Sequence, residues 1–261
     1  LTYTDLPRPK LGESDARVIH EAIAINHMDI HYRQGVLPVA GFPQVLGYEG
    51  IGFVEDAGKE IEHLNYNDRV IYATGPLGAY AEERAINPKY LVNVPADLNA
   101  NELIAVYSKG LTAHYLLYRT FMVTPNHYVL IQGVTGALGQ ILCQWAKHKG
   151  ATVIGTVSTE EKAALAKQLG CDEVVIYSKP GYVEKILACT NNTGVDVVYD
   201  LVGAATHKAS LYSLTAYGML VMVGMVSGKV ESIDTEILYE KCILATCPRL
   251  EVYKMKREEL V

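Results

Sequence analysis

The chain has 261 residues, of which 49% are hydrophobic and 20% are charged, a composition typical of a globular protein with one large or two ordinary domains. Its formal net charge of −6 at pH 7 argues against a surface that binds nucleic acid or anionic lipid. No apolar run reaches the roughly 18 residues that a membrane span needs, and the start lacks the basic-then-apolar order of a secretion signal, so we expect a cytoplasmic protein.

The first part of the chain, residues 1–110, is predicted to be a mostly β domain. Short β-like stretches alternate there with the turn-forming residues Gly, Pro, Asn and Asp. The predicted strands include residues 17–24, 50–56 and 69–72.

The second part, residues 111–246, is predicted to be an α/β domain with a doubly wound parallel sheet. From Tyr128 onward, short apolar runs alternate with helical patterns, which is typical of successive βαβ units. The first unit has a buried strand at residues 128–131, followed by a helix with an apolar stripe. Later strands are predicted at residues 151–157, 173–177, 195–200, 219–224 and 242–246.

A glycine-rich turn, Q-G-V-T-G-A-L-G at residues 132–139, joins the first strand of this domain to its helix. Gly136 and Gly139 are small where backbone N–H groups at a helix N-terminus approach a dinucleotide pyrophosphate. The usual G-x-G-x-x-G pattern is altered, because Val134 takes the place of its first glycine. The strand–turn–helix context favours a dinucleotide site, and the alternative is an incidental tight turn. The predicted coenzyme-binding residues of the turn are Gly133, Gly136, Ala137, Leu138 and Gly139.

The end of the second strand indicates which dinucleotide fits. NAD sites normally place Asp or Glu there to bind the ribose 2′-hydroxyl, whereas this chain has Ser158, followed one helical turn later by Lys162. A hydroxyl and an ammonium without a carboxylate suit the 2′-phosphate of NADPH. The competing interpretation is that Ser158 only caps the next helix, in a capping box with Glu161, and that Lys162 is a solvated surface residue.

Several segments, in the same order along the chain, resemble zinc-free quinone oxidoreductases of the medium-chain dehydrogenase/reductase superfamily. They are A-I-N-H-M-D at 24–29, L-G-Y-E-G at 46–50, G-A-Y-A-E at 78–82, K-G-L-T-A at 109–113, Q-W-A-K at 144–147, I-G-T-V at 154–157, G-V-D-V-V-Y-D at 194–200 and S-G at 227–228. The resemblance implies a GroES-like catalytic domain at residues 1–110 and a Rossmann NADP-binding domain at residues 111–246. It also implies metal-free hydride transfer from NADPH to a quinone.

The resemblance further implies individual site residues. The predicted catalytic residues are Asn26, Asp29 and Arg33, and the predicted substrate-pocket residues are His31, Tyr32 and Tyr48. The predicted coenzyme contacts outside the glycine turn are Thr112 near the nicotinamide amide, Ser158, Lys162 and Tyr177 at the 2′-phosphate, and Gly224 and Ser227 beside the nicotinamide ribose. Similar enzymes often have tyrosine at position 31. The competing interpretation of the catalytic set is a capped turn with an Asp–Arg ion pair that only holds the domain together.

No metal site is predicted. Zinc-dependent relatives hold catalytic zinc with a cysteine, a histidine and a later cysteine, and here Asn26 and Tyr48 occupy the first two of these positions. The closely spaced cysteines of a structural zinc site are also missing from this sequence. Its five cysteines form no C-x-x-C pair, which is typical of reduced structural thiols.

Partners and chain ends follow from the same resemblance. It implies a C-terminal stretch, beginning near residues 247–261, that returns to the catalytic domain, so we expect the chain to be incomplete there, and C-terminal coenzyme contacts are not assigned. It also implies a homodimer formed by strand pairing at an exposed sheet edge. Neither a nucleic-acid nor a membrane partner is expected. Three rival functions stay open: reduction of an enone or alkenal double bond, NADPH binding without turnover in a structural or redox-sensing role, and a zinc alcohol dehydrogenase.

Overall fold

The computed structural model of the protein describes residues 1–254 and divides into two compact units. One unit comprises Leu1–Ser108 together with residues 253–254, and the other comprises Lys109–Val252. The predicted C-terminal return segment at residues 247–261 lies partly outside the described residues.

The first unit is built on a five-stranded antiparallel sheet of order β4-β1-β2-β3-β5. Its strands are β1 (Ala16–Ile23), β2 (Glu49–Ala57), β3 (Arg69–Ala73), β4 (Glu83–Ile86) and β5 (Val92–Asn93). A short helix, α1 (His27–Arg33), follows β1, and a 3-10 turn (Pro88–Tyr90) precedes β5. The longer helix α2 (Ala100–Tyr115) begins in this unit.

Both faces of the central strands of this sheet are covered. Val70 and Tyr72 of β3 belong to one buried cluster, whereas Ile71 belongs to a second cluster that includes the start of α2. Successive side chains of a strand point to opposite faces, so a run of consecutive apolar residues contributes to both clusters. This packing fixes the strands on either side of Glu49, the first residue of β2.

The second unit is built on a six-stranded parallel sheet of order β11-β10-β9-β6-β7-β8. Its strands are β6 (Tyr128–Gln132), β7 (Thr152–Val157), β8 (Glu173–Ile176), β9 (Val195–Asp200), β10 (Leu214–Met222) and β11 (Leu244–Thr246). Its helical elements are a π-helical turn (Leu116–Thr120), α3 (Ala137–His148), α4 (Glu160–Gln168), α5 (Tyr182–Ala188), α6 (His207–Tyr212) and α7 (Thr235–Lys241), and α8 (Leu250–Tyr253) follows them. From the β8 edge the order is that of a doubly wound Rossmann sheet, which reverses direction between β6 and β9. The predicted α/β fold class is confirmed.

The central strands of the parallel sheet are apolar except near their carboxyl ends. Leu130, Ile154 and Val198 are fully buried members of one core cluster, as expected for strands covered on both faces. Each of these strands then places a buried polar residue at or next to its carboxyl end. These residues are Gln132, Thr156 and Asp200, and Gln132 pairs in register with both of the others. The carboxyl edge of such a sheet is where ligands bind.

Two local predictions were wrong. Strand β10 begins at Leu214 rather than at residue 219, because an irregularity between Leu214 and Met219, with Tyr217 at a positive φ of 61°, interrupts the strand pattern. The predicted capping box at Ser158 is also absent. The N-cap of α4 is Thr159, whose hydroxyl accepts from the Lys162 backbone N–H at 3.4 Å.

Candidate active site

The turn between β6 and α3 brings the predicted glycines together at a helix N-terminus. Gly133 has a φ of +74°, a conformation that favours glycine, and its carbonyl accepts from the N–H of Gly136, the N-cap of α3, at 3.0 Å. A Cβ atom at Gly139 would lie 2.6 Å from the Val134 carbonyl oxygen. Glycine therefore lets α3 start directly against the turn. Gly136 and Ala137 are exposed, so no large side chain covers the N-terminus of α3.

Val134, which replaces a glycine of the usual pattern, is fully buried. Its N–H donates to the Thr156 carbonyl at 3.1 Å. Its side chain packs against Gly155 of β7, where a Cβ atom would lie 2.6 Å from Val134 Cγ1. Val134 thus anchors the turn to the sheet and leaves its exposed side open.

The ends of β7 and β8 lie side by side and carry the residues predicted to bind a 2′-phosphate. Lys162 Nζ donates to Ser158 Oγ at 3.3 Å, and the Tyr177 N–H donates to the Val157 carbonyl at 3.0 Å. Glu160, at the start of α4, forms an ion pair with Lys179. Since Thr159 caps α4, the Ser158 hydroxyl is not used as the cap. A hydroxyl and an ammonium at the end of the second strand, beside a glycine turn at a helix N-terminus, fit a phosphorylated dinucleotide.

The loops after β9 and β10 contact each other at the same edge of the sheet. The Gly224 N–H donates to the Asp200 carbonyl at 3.0 Å, and the close approach of the Leu201 carbonyl leaves no room for a Cβ atom at Gly224. The Ser227 hydroxyl donates to the Val202 carbonyl at 2.8 Å and accepts from the Ala205 N–H at 3.0 Å. The predicted contacts Gly224 and Ser227 therefore belong to one cross-linked pair of loops.

In the first unit, the residues at the start of α1 form a compact polar cluster. Asn26 is the N-cap of α1, and its backbone N–H donates to Asp29 Oδ2 at 2.8 Å, as a capping box requires. Asp29 is 3% exposed and also accepts from the Tyr80 hydroxyl at 2.9 Å. Burial, together with this bond to Asp29, raises the pKa of Tyr80. The capped turn of the competing interpretation is thus present, whereas Arg33 is exposed at the end of the helix.

Glu49 completes this cluster, although it is not among the predicted site residues. It is fully buried and accepts from Asn26 Nδ2 at 2.8 Å, from the Ser108 hydroxyl at 2.9 Å and from the Ser108 N–H at 3.0 Å. A buried carboxylate is tolerated when donors satisfy its oxygens. The signal that was available is an acidic residue directly before the apolar run at residues 50–54 of β2.

The remaining predicted site residues belong to both units. His31, Tyr32 and Tyr48 of the first unit are half-buried, as is Thr112 of the second unit. The ring centroids of His27 and His31 lie 6.4 Å apart. The Nδ1 atom of His31 is buried and has no hydrogen-bond partner within residues 1–254.

Two further properties concern the described part of the chain alone. Residues 1–254 contain no group of three or more His, Cys, Asp or Glu side chains arranged to hold a metal ion. None of the helices described above combines the length and the apolar character that crossing a bilayer requires.

Comparison with known proteins gives the family. Residues 12–96 match the alcohol dehydrogenase GroES-like domain, and residues 137–247 match the zinc-binding dehydrogenase family. A quinone oxidoreductase from Pseudomonas aeruginosa is 39% identical over 100% of this chain and 80% of its own length. A 2-haloacrylate reductase from Burkholderia sp. is 38% identical over 95% of this chain and 77% of its own length.

A crystal structure of Escherichia coli quinone oxidoreductase complexed with NADPH is 36% identical. It matches 100% of this chain and 79% of that chain with a TM-score of 0.92. The sequence and fold comparisons therefore agree, and the predicted resemblance is confirmed. The chain belongs to the quinone oxidoreductase family of the medium-chain dehydrogenase/reductase superfamily.

Proposed function

We propose that this protein is an NADPH-dependent quinone oxidoreductase that transfers hydride to a quinone without a metal ion. The observation that carries the proposal is the Ser158–Lys162 pair at the carboxyl end of β7, with Lys162 Nζ 3.3 Å from Ser158 Oγ. It lies beside a glycine turn in the fold that the E. coli quinone oxidoreductase, complexed with NADPH, shares. The quinone oxidoreductases among its relatives support the acceptor class.

The coenzyme is bound by the second unit. The N–H groups of the first turn of α3, next to Gly136 and Ala137, bind the pyrophosphate, which the helix dipole favours. Ser158, Lys162 and Tyr177 bind the 2′-phosphate, the lysine as a cation and the serine as a hydrogen-bond donor.

The nicotinamide end is bound by other residues of the site. The loop of residues 223–228, with Gly224 and Ser227, lies beside the nicotinamide ribose, and Thr112 binds the nicotinamide amide. When bound, NADPH supplies a hydride from C4 of its nicotinamide ring, so the chain's own task is to orient the acceptor and to exclude water.

Asn26, Asp29 and Arg33 act at the acceptor side of the first unit. Glu49 accepts one N–H of the Asn26 amide, which leaves the second N–H to donate to a substrate oxygen or to the nicotinamide ribose. Asp29 fixes the turn that presents Asn26, because it binds the Asn26 backbone and Tyr80 together. Arg33 anchors the loop that follows α1.

The acceptor pocket is lined by His31, Tyr32 and Tyr48. The donor chemistry supports a metal-free reaction, since Asn26 and Tyr48 stand where a thiolate and an imidazole would bind zinc. The Asn26 amide is also engaged by Glu49. Without a Lewis acid, an electron-poor acceptor such as a quinone is a more suitable substrate than an alcohol.

A second candidate function is reduction of an electron-poor C=C bond, favoured by the similarity to a 2-haloacrylate reductase. Steady-state rates with NADPH, measured with a panel of quinones, enones and 2-haloacrylates, separate the two. We expect kcat/KM to be highest for a quinone. A higher value for a 2-haloacrylate would replace the proposed substrate class.

NADPH binding with no turnover across the panel would favour a non-catalytic role. Stoichiometric zinc in the purified protein, with loss of activity in the presence of a chelator, would favour a zinc alcohol dehydrogenase.

We also propose that the protein forms a homodimer through the β11 edge of its parallel sheet. Strand β11 pairs with β10 on one side, and Leu244 within it is 60% exposed. An exposed, short edge strand is a surface on which a second copy can add its own strand. Light scattering on the protein and on its Leu244→Lys variant tests this, since we expect a dimer for the first and a monomer for the second.

A further inference from the structure

A chain of buried hydrogen bonds lies beneath the glycine turn. The Gly133 N–H donates to Thr156 Oγ1 at 3.3 Å, and the Thr156 hydroxyl donates to Gln132 Oε1 at 2.6 Å. Gln132 Nε2 donates to Ser210 Oγ at 3.1 Å, and the Ser210 hydroxyl donates to Asp200 Oδ2 at 2.8 Å. All four side chains are fully buried. The chain runs from the turn through strands β7 and β6 to helix α6, and ends at Asp200 of β9.

The carboxylate of Asp200 sets the direction of every bond in this chain. It accepts from the N–H groups of Val202 and Gly203 at 2.9 Å each and from the hydroxyls of Thr206 and Ser210 at 2.8 Å each. An ionised carboxylate only accepts, and a hydroxyl has one proton to donate. The Ser210 hydroxyl is therefore committed to Asp200, so its oxygen must accept from Gln132.

The same reasoning continues to the turn. With Nε2 of Gln132 facing Ser210, Oε1 faces Thr156 and accepts its hydroxyl proton. The Thr156 oxygen then offers only a lone pair to the Gly133 N–H. One buried charge thus selects the amide orientation of Gln132 and the acceptor that fixes the first residue of the turn.

Asp200 also holds the loop on the other side of the site. Its backbone carbonyl accepts from the N–H groups of Val223 and Gly224 at 2.9 and 3.0 Å. Its side chain fixes the loop after β9, to which Ser227 is bonded through the Val202 carbonyl. The glycine turn and the loop of residues 223–228 are therefore both held by hydrogen bonds that lead to Asp200.

Stability alone does not account for a polar chain at this place. Replacing both partners of a buried hydrogen bond by apolar groups of the same shape is often close to neutral, so a stable sheet does not by itself require hydrogen-bonded side chains here. A fully satisfied buried network instead specifies one arrangement of the groups it joins. The arrangement specified here is that of the two coenzyme-binding loops.

We propose that Asp200, Ser210, Gln132 and Thr156 are positioning residues for NADPH, which act through the backbone of Gly133 and of the loop at residues 223–228. This inference rests on the proposed coenzyme site. It goes further by assigning a function in coenzyme affinity to four buried side chains that are otherwise part of the sheet and of α6.

The test uses four variants of the full protein and one control. Thr156→Val and Ser210→Ala each break the chain, and the double variant breaks it twice. Thr156→Ser keeps the hydroxyl and should restore binding. The control is Ser213→Ala, because Ser213 is also fully buried but donates to the Ala209 carbonyl at 2.8 Å, outside the chain. NADPH affinity is measured by fluorescence titration, with steady-state kinetics and urea unfolding on the same samples.

We expect Thr156→Val and Ser210→Ala each to weaken NADPH binding about tenfold, the effect of losing one buried hydrogen bond. The double variant should be about as weak as either single variant, because both remove one connected chain. The KM for NADPH should rise while kcat at saturating NADPH and the KM for the quinone stay within about twofold, a scatter small against one hydrogen bond. The control should lose stability only.

Hydrogen–deuterium exchange of the ligand-free protein gives a second measurement that does not depend on the coenzyme. The segment containing Gly133 should exchange faster in Thr156→Val and Ser210→Ala than in Ser213→Ala. NADPH affinities within about twofold of the wild type, or losses that multiply in the double variant, would overturn the positioning role. A wild-type protein that binds no NADPH would overturn the proposed function instead, and exchange at Gly133 would still report on the chain.

Discussion

The two polar clusters of this protein are assembled in different ways. In the parallel sheet, Gln132, Thr156 and Asp200 lie at or next to the carboxyl ends of adjacent strands and are neighbours by strand register. In the antiparallel unit, Asn26 and Glu49 belong to a helix start and a strand start. A parallel sheet collects all its carboxyl ends at one edge, so its site is laid out by topology, whereas the antiparallel unit needs specific long-range contacts to form its cluster.

The largest effect is expected from the glycine turn of the parallel unit. In Gly139→Ala, the added Cβ atom would lie 2.6 Å from the Val134 carbonyl oxygen, so α3 must shift away from the turn. Overpacking of this kind costs about 1–3 kcal/mol, and we expect NADPH affinity to fall by about 10- to 100-fold in a fluorescence titration.

The control for this change is Gly41→Ala in the other unit, where no atom lies within 4 Å of the added Cβ position. It should leave NADPH affinity unchanged. If both variants bind NADPH as tightly as the wild type, the turn is not shaped by the fit of Gly139.

The antiparallel cluster should respond in stability and in kcat. Glu49→Gln keeps the shape but replaces one acceptor oxygen by an N–H₂ group. Depending on the orientation of the new amide, that group faces either the Ser108 N–H or the Asn26 amide and the Ser108 hydroxyl, which already donate. Leaving buried donors unpaired costs about 2 kcal/mol, which urea unfolding measures. We expect kcat to fall as well, with a smaller change in NADPH affinity, because most of the proposed coenzyme contacts belong to the other unit.

Glu62→Gln, at an exposed position of the same unit, is the matched control and should have no effect on either quantity. Unchanged stability in Glu49→Gln would mean that the buried carboxylate does not organise this cluster.

Coenzyme selectivity should depend on a single exposed lysine. Lys162→Gln removes the cation beside Ser158, and we expect NADPH affinity to fall about tenfold, a typical loss for a hydrogen bond to a charged group. NADH, which has no 2′-phosphate, should bind the variant and the wild type equally well by calorimetry. Lys167→Gln, on the same helix and also exposed, should not change the preference. Equal losses for both coenzymes in Lys162→Gln would remove the 2′-phosphate role.

The smallest expected effect is a pH dependence of stability that arises in the antiparallel unit. His20 in the antiparallel sheet bonds the Ala81 carbonyl and the Tyr72 hydroxyl at 2.6 Å each. Burial lowers the pKa of His20, the Ala81 carbonyl opposes this, and the charge of Arg84 adds to the lowering. The unfolded chain therefore binds more protons than the folded one as pH falls below the ordinary value of about 6.5. His20 stabilises the fold fully above that pH and loses its contribution below it.

We expect this loss to be below about 1 kcal/mol between roughly pH 7.5 and pH 5.5, because the histidine is only half-buried. Urea unfolding across that range, compared with His20→Gln, measures it, and the variant should have a shallower slope. His207→Gln, at a half-buried histidine of the parallel unit, is the control. A slope unchanged by His20→Gln would show that other groups cause the pH dependence.

Much of the parallel unit was predictable because its signals are local. Apolar runs of strand length, the turn at residues 133–139 and the hydroxyl of Ser158 at a strand end each follow from a few adjacent residues. The errors occurred where a neighbour competed with the local pattern. Thr159 replaced Ser158 as the N-cap, and the irregularity near Tyr217 concealed the first half of β10.

The sequence by itself determined the α/β class, the order of strand and helix along the second unit, and a glycine turn followed by a carboxylate-free strand end, since hydrophobic period and turn chemistry are properties of consecutive residues. Only the tertiary structure decided that Glu49 binds Asn26 and Ser108, which are 23 and 59 positions away from it in the chain. It also decided that Asp200 and Ser210 support the turn at Gly133. Hydrogen bonds between distant residues depend on strand register and on side-chain orientation in a packed core, and neither is encoded in any short stretch of sequence.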